Sequence, residues 1–586
     1  MRRATIHRWL SPMLAAVAVG LLPVAAATTD LARIGGWGLA AVLGPAAWAS
    51  LLCAVAACVA ELQHPSPRIP MLTVATGVLI LCSFGMPSVV EPAARFSTAW
   101  QMSGFVDAIA QGGVAPVTVD ARFSWPAFFA QWAFFRDAGG ATQLDSVLRW
   151  FPPAINAVWA TAIYAMARSI LGGTRTPWVA AWLFLGLNWI QQDYFSPQAT
   201  GIVLLLTVIT FVLGPLATRR IATAGGAVLA GRWRRVIAAV RTPSNRPGLP
   251  PRQLLLIWFC LGLCVLAVAP AHQLTPFAII VQLALLAAFG RFRGRGLLLV
   301  AIVAVVAYIL IGARSIWFNQ LSLFIGGGGG AALQAGIADR ITGDTGQVVV
   351  KYLSIAVPAL TWLLAIIGAR VHWRRTRDLV PIGLAVMPMG FAAVQSYGGE
   401  LILRIVLYGL PILTILGTEA LRALVRRQRQ RGGPFGRRRI ELVLAAGMAL
   451  LFATLVLIRG GNDGYQLVTP QDVALLRTTI AQTAPGRSIA SLISDAGPSQ
   501  VAGVADHRNG VGIDQCIGEP SGTDPVACIV AAAPDVIISY PSTERKGVVL
   551  DGLQPGWSLR LAQELAATGK YRITTQDGYD LVLVRV

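Results

Sequence analysis

Charge is what this 586-residue chain is short of: Asp, Glu, Lys and Arg together make up 13% of it, about half the share expected of a soluble domain. A soluble chain of this length divides into several domains with polar surfaces, and the charge to cover them is not here. Lysine is nearly missing, present only at Lys351, Lys546 and Lys570, so the 48 basic residues are almost all arginine. There are five histidines and seven cysteines, but no zinc-type spacing among them, no nucleophile elbow and no Walker sequence. Soluble-style nucleophilic chemistry and ATP-driven chemistry are therefore unsupported. The glycine run Gly326–Gly330 does not change this, because no Lys-Ser/Thr follows it as a phosphate-cradling loop requires.

Apolar sequence is plentiful. Mean hydropathy is +0.63, and apolar runs fall at about 12–28, 36–60, 70–90, 150–170, 177–190, 198–216, 254–270, 274–290, 297–313, 350–368, 379–394, 401–418 and 440–458. Crossing a ~30 Å hydrocarbon core takes about 20 helical residues, so these thirteen runs are candidate spans. The first follows Arg2, Arg3 and Arg8 and ends in Val24-Ala25-Ala26-Ala27. It reads as an anchor or as a cleaved signal peptide, and the topology downstream is the same either way. Cys53, Cys58, Cys82, Cys260 and Cys264 lie inside apolar runs and read as small buried hydrophobes.

The net charge of +21 raises nucleic acid as a partner, but its distribution argues against it. The arginines cluster in loops between apolar runs, at 61–69, 171–176, 218–253, 291–296, 369–378 and 419–439; the 218–253 loop holds eight Arg and no acid. One parity of crossing puts every cluster on the same side, as the positive-inside rule expects of the cytoplasmic face, where they meet anionic lipid or solvent. The N-terminus is then cytoplasmic. The opposite face receives 91–149, Gln191–Gln198, Ala271–Pro276, 314–349, Gln395–Glu400 and everything from Arg459 onward. Those loops are the ones in which Asp, Glu, His, Tyr and Trp occur together.

Candidate chemistry sits on that face. The 91–149 segment is too long for a simple turn and mixes Trp and Phe with acids, as interfacial helices do. Asp107 lies in an apolar-flanked helical stretch, and Asp120 is two residues from Arg122; either carboxylate is a candidate base or a solvated surface residue. Gln192, Asp193 and Tyr194 join two spans with almost no loop, where polar groups are expensive unless they face a cavity or one another. Pro197 would open the next helix, whose free N–H groups attract anions. His272 and Gln273 precede Thr275-Pro276 in the same arrangement, and the histidine is a candidate for a phosphate, a sugar hydroxyl or a turn hydrogen bond. Glu400 and Arg404 are four apart, close enough to pair on one helix face. Arg404, about one turn inside the membrane, needs that partner or a substrate anion, and a planar guanidinium suits a phosphate.

The chain divides into a multi-spanning part, 1–462, and a small α/β domain, 463–586. In the latter, Gln471–Thr483 reads as a helix capped by Thr469-Pro470, Asp535–Tyr540 as a buried strand and Gly556–Thr568 as an amphipathic helix. Tyr571–Thr575 and Tyr579–Val584 read as a hairpin around Gln576-Asp577-Gly578, with Asp-Gly as the turn signal. Cys516 and Cys528 lie in this domain and are a candidate disulfide if it faces an oxidising compartment.

Several strings taken together resemble the polytopic GT-C glycosyltransferases, and most of all an actinobacterial group of them. They are Gly104-Phe105 to Asp107, Asp120-Ala121-Arg122-Phe123-Ser124-Trp125-Pro126, Gln192-Asp193-Tyr194-Phe195-Ser196-Pro197-Gln198, His272-Gln273-Leu274-Thr275-Pro276 and Tyr397-Gly398-Gly399-Glu400. The resemblance implies a multi-pass inner-membrane enzyme that moves a sugar from a polyprenyl-phosphate donor to an envelope glycan, lipid or protein acceptor on the extracytoplasmic side. It implies Asp107 or Asp120 as the base, with Asp193, His272 and Arg404 holding donor phosphate or acceptor hydroxyls, and a divalent metal ion in some members. The long acidic loop here follows the third span, not the first, and the adjacent acidic pair of many such enzymes is absent. A lipid-linked saccharide flippase would favour mid-span charges and repeated halves; the sequence has few of the former and none of the latter. A non-catalytic scaffold binding a partner through the tail is the third reading.

Overall fold

The structure is a computed structural model that describes residues 2–217, 249–292, 296–314, 341, 343–393, 401–494, 496–507, 513–518 and 524–586. Most of the arginine-rich 218–253 loop, the glycine run Gly326–Gly330 and the Gln395–Glu400 segment, with Glu400, lie outside the described residues. The protein is an α-helical polytopic membrane protein carrying a small C-terminal α/β unit. Each apolar run falls largely on helix. Among the described residues, seven helices are long and apolar enough to cross a membrane: Trp9–Thr28, Pro45–Gln63, Asp145–Leu171, Pro251–Val268, Thr345–Thr376, Leu401–Gln428 and Arg439–Gln466. Six shorter apolar helices accompany them, at Ile69–Ser83, Thr176–Leu187, Pro197–Leu213, Thr275–Ala288, Gly296–Ile311 and Val380–Phe391. One large core joins the helices, with Trp159, Phe184, Tyr408 and Phe452 among its fully buried side chains.

Four helices frame the end of the bundle that carries the C-terminal unit: α1 (Ser97–Gly112), α2 (Thr345–Thr376), α3 (Leu401–Gly461) and α4 (Pro470–Gln482). The sequence reads 419–439 as a loop, whereas the chain is helical without a break through α3. That helix is not straight. Gly368 of α2 lies against the Leu416 carbonyl, and Gly461 lies against Val350. Val350 to Gly368 is 18 residues of α2, about 27 Å, while Leu416 to Gly461 is 45 residues, about 68 Å if extended. The helical chain therefore folds back on itself between its two apolar stretches, and both pack along α2. The reversal has a physical basis: the intervening arginine-rich sequence carries no apolar stripe to bury, so nothing holds it along the bundle.

Ion pairs sort the connections to two ends. At one end Arg68 pairs with Glu61 at 2.6 Å, Arg375 with Glu419 at 2.8 Å and Arg291 with Asp378, and Arg175 donates to the carbonyls of His64 and Pro65. At the other end lie the 91–149 segment, the Gln191–Gln198 connection and the C-terminal residues. Inside 91–149 the chain forms α1, a short turn of helix at Ala121–Ser124 and the helix Ala127–Ala138. An aromatic cluster binds these together around Phe195, whose ring lies 4.9 Å from Phe128, 5.0 Å from Trp132 and 5.4 Å from Phe151.

The C-terminal unit holds a four-stranded sheet in the order β1-β2-β4-β3, from β1 (Ile489–Ser491), β2 (Val536–Ser539), β3 (Tyr571–Asp577) and β4 (Asp580–Arg585). The β1–β2 pair is parallel and the others antiparallel. Helix α4 opens as the sequence suggests: Thr469 and Asp472 form a capping box, with Pro470 in the first turn. The β3–β4 hairpin turns on Gly578-Tyr579, a tighter loop than expected because the strands pair as far as Asp577 and Asp580, with Gly578 at φ +59°. Cys516 and Cys528 form a disulfide, their Cα atoms 5.6 Å apart.

This unit is docked on the bundle. Gly104 of α1 lies directly against the Gln500 carbonyl, so a side chain there has no room. Gln101 donates to Gln500 Oε1 at 2.8 Å, Arg477 of α4 pairs with Asp145 at 2.8 Å, and the Asp344 amide donates to the Val549 carbonyl at 2.8 Å.

Candidate active site

Where the bundle meets α1 and the C-terminal unit, five ionisable side chains are buried together: Glu91, Arg95, Asp193, Arg459 and Asp463. Four of them come from helix ends. Glu91 ends the short helix Met86–Val90, Arg95 precedes α1, and Arg459 and Asp463 flank the end of α3. Asp193 is delivered by a backbone turn, because Gln191 sits at φ +60°. That conformation is uncommon outside glycine, and the Gln191 side chain donates to the Ile458 carbonyl at 3.3 Å.

The pairing is specific. Arg95 donates to both oxygens of Asp463, at 3.0 and 2.6 Å, and to the Arg459 carbonyl. Arg459 donates to both oxygens of Asp193, at 3.1 and 3.0 Å, and stacks 4.6 Å from the Phe84 ring. Asn156 donates to Asp193 and accepts from Asn188 at 3.0 Å. Three carboxyls thus face two buried guanidiniums, and Glu91 is the one that neither guanidinium reaches. It lies against Asp463. Burial, and then the charge of Asp463, hold its pKa well above the usual carboxylate range, although Arg95 and Arg149 pull the other way. Glu91, Arg95, Arg149, Tyr194 and Arg459 line a cavity of about 20 Å³, room for one water or hydroxyl oxygen.

A second polar group lies beyond the Gln192–Gln198 connection. His272 is buried, and its Nδ1 accepts from the backbone amides of Leu274 and Thr275, both at 3.2 Å. Its proton is therefore on Nε2. Burial and the neighbouring Arg404 hold its pKa well below the ordinary value, so the ring is neutral. Thr275 Oγ1 lies 3.0 Å from His272 Nδ1 and 3.0 Å from the Tyr408 hydroxyl. Arg404 is buried beside them.

The structure brings Asp193 into the first group and His272 with Arg404 into the second. Gln192 is buried, and Tyr194 packs 5.5 Å from the Phe96 ring. Gln273 follows His272 in the same turn. Asp107 and Asp120 sit elsewhere. Asp107 pairs with Arg136 at 2.7 Å and accepts from Gln111. Asp120 caps the turn at Ala121–Ser124 and pairs with Arg122 at 2.7 Å. Arg122 in turn donates to Gln101 and lies 4.7 Å over the Phe105 ring. Glu91, Arg95, Arg459 and Asp463 are not singled out by the sequence. One signal is present there: Arg459 directly follows the apolar run 440–458 on the outer face, and a cation at that depth calls for a buried carboxylate.

No set of three His, Cys, Asp or Glu side chains converges to hold a metal ion among the described residues. Asp193 and Asp463 are already paired with arginine. These residues do not fit a metal centre.

No protein-family model matches the chain, and no curated protein matches it. Two solved structures are similar in chain course. One is the Archaeoglobus fulgidus oligosaccharyltransferase tethered with an acceptor peptide containing the NVT sequon, at 11% identity and a TM-score of 0.46, over 92% of this chain and 74% of that one. The other is ArnT from Cupriavidus metallidurans bound to undecaprenyl phosphate, at 12% identity and a TM-score of 0.46, over 88% of this chain and 98% of that one. Both are membrane glycosyltransferases with the GT-C fold.

Proposed function

We propose that the protein transfers a sugar from a polyprenyl-phosphate donor to an envelope acceptor at the end of the bundle that carries the C-terminal unit, on the extracytoplasmic side. The observation that carries this reading is the buried Glu91 carboxyl, backed by Asp463 and facing a cavity the size of one hydroxyl. Three carboxylates face two buried guanidiniums, with the half-buried Arg149 at the same cavity, and Glu91 is the carboxylate that no guanidinium pairs directly. A carboxylate placed this way is suited to act as a general base, and its raised pKa makes it a stronger proton acceptor once ionised. Asp463 tunes that base, while Arg95, Arg459 and Asp193 keep the group rigid.

The leaving group is an anionic lipid phosphate. The Nε2–H of neutral His272 and the Arg404 guanidinium are donors suited to its oxygens, and charge developing on the departing phosphate is stabilised by donors fixed in advance. The apolar bundle around them suits an isoprenoid tail. Asp107 and Asp120, both held in ion pairs away from the buried group, are assigned positioning roles in the 91–149 segment.

The test is sugar transfer from radiolabelled polyprenyl-phosphate sugars to membrane acceptors. Glu91→Gln is expected to lose about 10²- to 10⁴-fold, the usual worth of a general base, with Asp107→Asn and Asp120→Asn largely active. Loss in either of those with Glu91→Gln active would return the base to the 91–149 segment. Translocation of a lipid-linked saccharide with no transfer would overturn the enzyme reading.

A further inference from the structure

A larger cavity, about 240 Å³, lies between the first turns of α1 and the C-terminal unit. It adjoins the Glu91 cavity through one turn of helix: Phe96 and Ala99 line the small cavity, Ser97 and Thr98 the large one. Its far wall comes from β1, the segment after it and the end of β2, including Gln500, His507 and Asp514.

Three residues that line it, Ser97 on α1 and His507 and Tyr540 on the far wall, each hold a buried polar atom without a partner, the third being the Tyr540 hydroxyl. Ser97 Oγ, in a side chain 4% exposed, and His507 Nδ1, in one 7% exposed, find no hydrogen-bond partner among the described residues. A buried polar atom left unpaired is destabilising unless a ligand or water meets it. The remaining polar lining is uncharged except for one carboxylate: Thr98, Ser491, Ser494, Ser499 and the Gln101–Gln500 amide pair, with Asp514 accepting from Ser494. Among the described residues, no arginine or lysine lines the cavity. Among the described residues the one charged group is the Asp514 carboxylate, which repels an anion, so a neutral ligand suits this lining better than a phosphate.

We infer that this cavity binds a neutral saccharide unit of the acceptor, with Ser97 and His507 hydrogen-bonding its hydroxyls. Dense hydroxyl, amide and imidazole groups around a volume just below that of drug-sized pockets match a single sugar ring. A peptide is the less favoured occupant, because β1, the strand edge beside the cavity, is only three residues long. The inference gives the C-terminal unit its task in the proposed transfer and rests on that reading for its role, but binding itself needs neither donor nor turnover.

The test is saturation-transfer NMR on the full-length protein in detergent micelles with free mannose, galactose and arabinose, a sugar phosphate and a short neutral peptide. At least one neutral sugar is expected to bind. Ser97→Ala and His507→Ala should each weaken it about three- to tenfold, the worth of one neutral hydrogen bond. Thr98→Tyr, which fills the cavity from α1, should abolish binding at an unchanged melting temperature, and Glu91→Gln should bind as wild type does. No neutral sugar binding to wild type, binding unchanged in all three cavity variants, or binding of the peptide or sugar phosphate alone would each overturn the inference. If transfer still depended on Glu91, the proposed function would survive that failure.

Discussion

The Arg459–Asp193 pair allows a quantitative test of the buried charge group. Arg459→Met removes the charge while keeping a long, apolar side chain, and leaves Asp193 with only the Asn156 amide. The two side chains are 3% and 0% exposed, so solvent screening gives no relief. Removing one partner of a buried pair costs about 3–5 kcal/mol, and Asp193→Asn, which strands the arginine, should cost a similar amount. The double variant Asp193→Asn/Arg459→Met leaves no unpaired charge and should lie within about 1–2 kcal/mol of wild type. The cycle then gives a coupling of at least about 3 kcal/mol, far above the tolerance for independent sites. Equilibrium unfolding in mixed micelles, followed by fluorescence of the 17 tryptophans, measures all four species. Single variants costing under about 1 kcal/mol each, or simple additivity in the double, would refute the claim that these charges are held out of water.

Other expectations come from the same contacts. On the proposed reading Glu91 acts ionised, and with its pKa raised activity should fall as pH drops through that raised value; Asp463→Asn removes the neighbouring negative charge, so the acid limb of the pH–rate profile should move to lower pH. Burial, then Asp472 and Asp577, push Asp580 to about 7. The folded state therefore binds more protons than the unfolded state from about pH 4 to 7, stability falls across that window, and Asp580→Asn should raise the melting temperature at pH 8 while leaving it unchanged at pH 4. Opening the Cys516–Cys528 link, which spans a separation of 12 residues, should cost about 3 kcal/mol on the chain-entropy account, read as faster proteolysis of the C-terminal unit under reductant. Gly104→Ala should force α1 away from Gln500 and cost about 1–3 kcal/mol as overpacking, read as exposure of 463–586 to protease.

Where the sequence is legible, the signal is local. Hydropathy over 20-residue windows finds the helices, and Thr469-Pro470 marks the start of α4 because a cap and its proline are neighbours. The reversal inside α3 is legible as two apolar runs, 401–418 and 440–458, on either side of an arginine-rich connection, whereas the helical state of that connection is not, since an arginine-rich stretch reads as loop and helix alike. The buried charge group is illegible for a different reason. Arg95 and Asp463 are 368 residues apart, and Arg459 and Asp193 are 266 apart, so no window contains both halves. Asp107 and Asp120 stand out in sequence because acids in an aromatic segment are conspicuous, but their partners, Arg136 and Arg122, lie within reach on the same segment. Local conspicuousness and burial are different properties.

The long separation between Arg95 and Asp463 also dictates an order of biogenesis. The ribosome delivers Glu91 and Arg95 early, and they remain without these counter-charges while the next several helices enter the membrane. Only when the second half of α3 is inserted do Arg459 and Asp463 arrive. Only after Gln500 is made can Gly104 settle against it. The buried charge group therefore forms only after Arg459 and Asp463 have been made, long after Glu91 and Arg95.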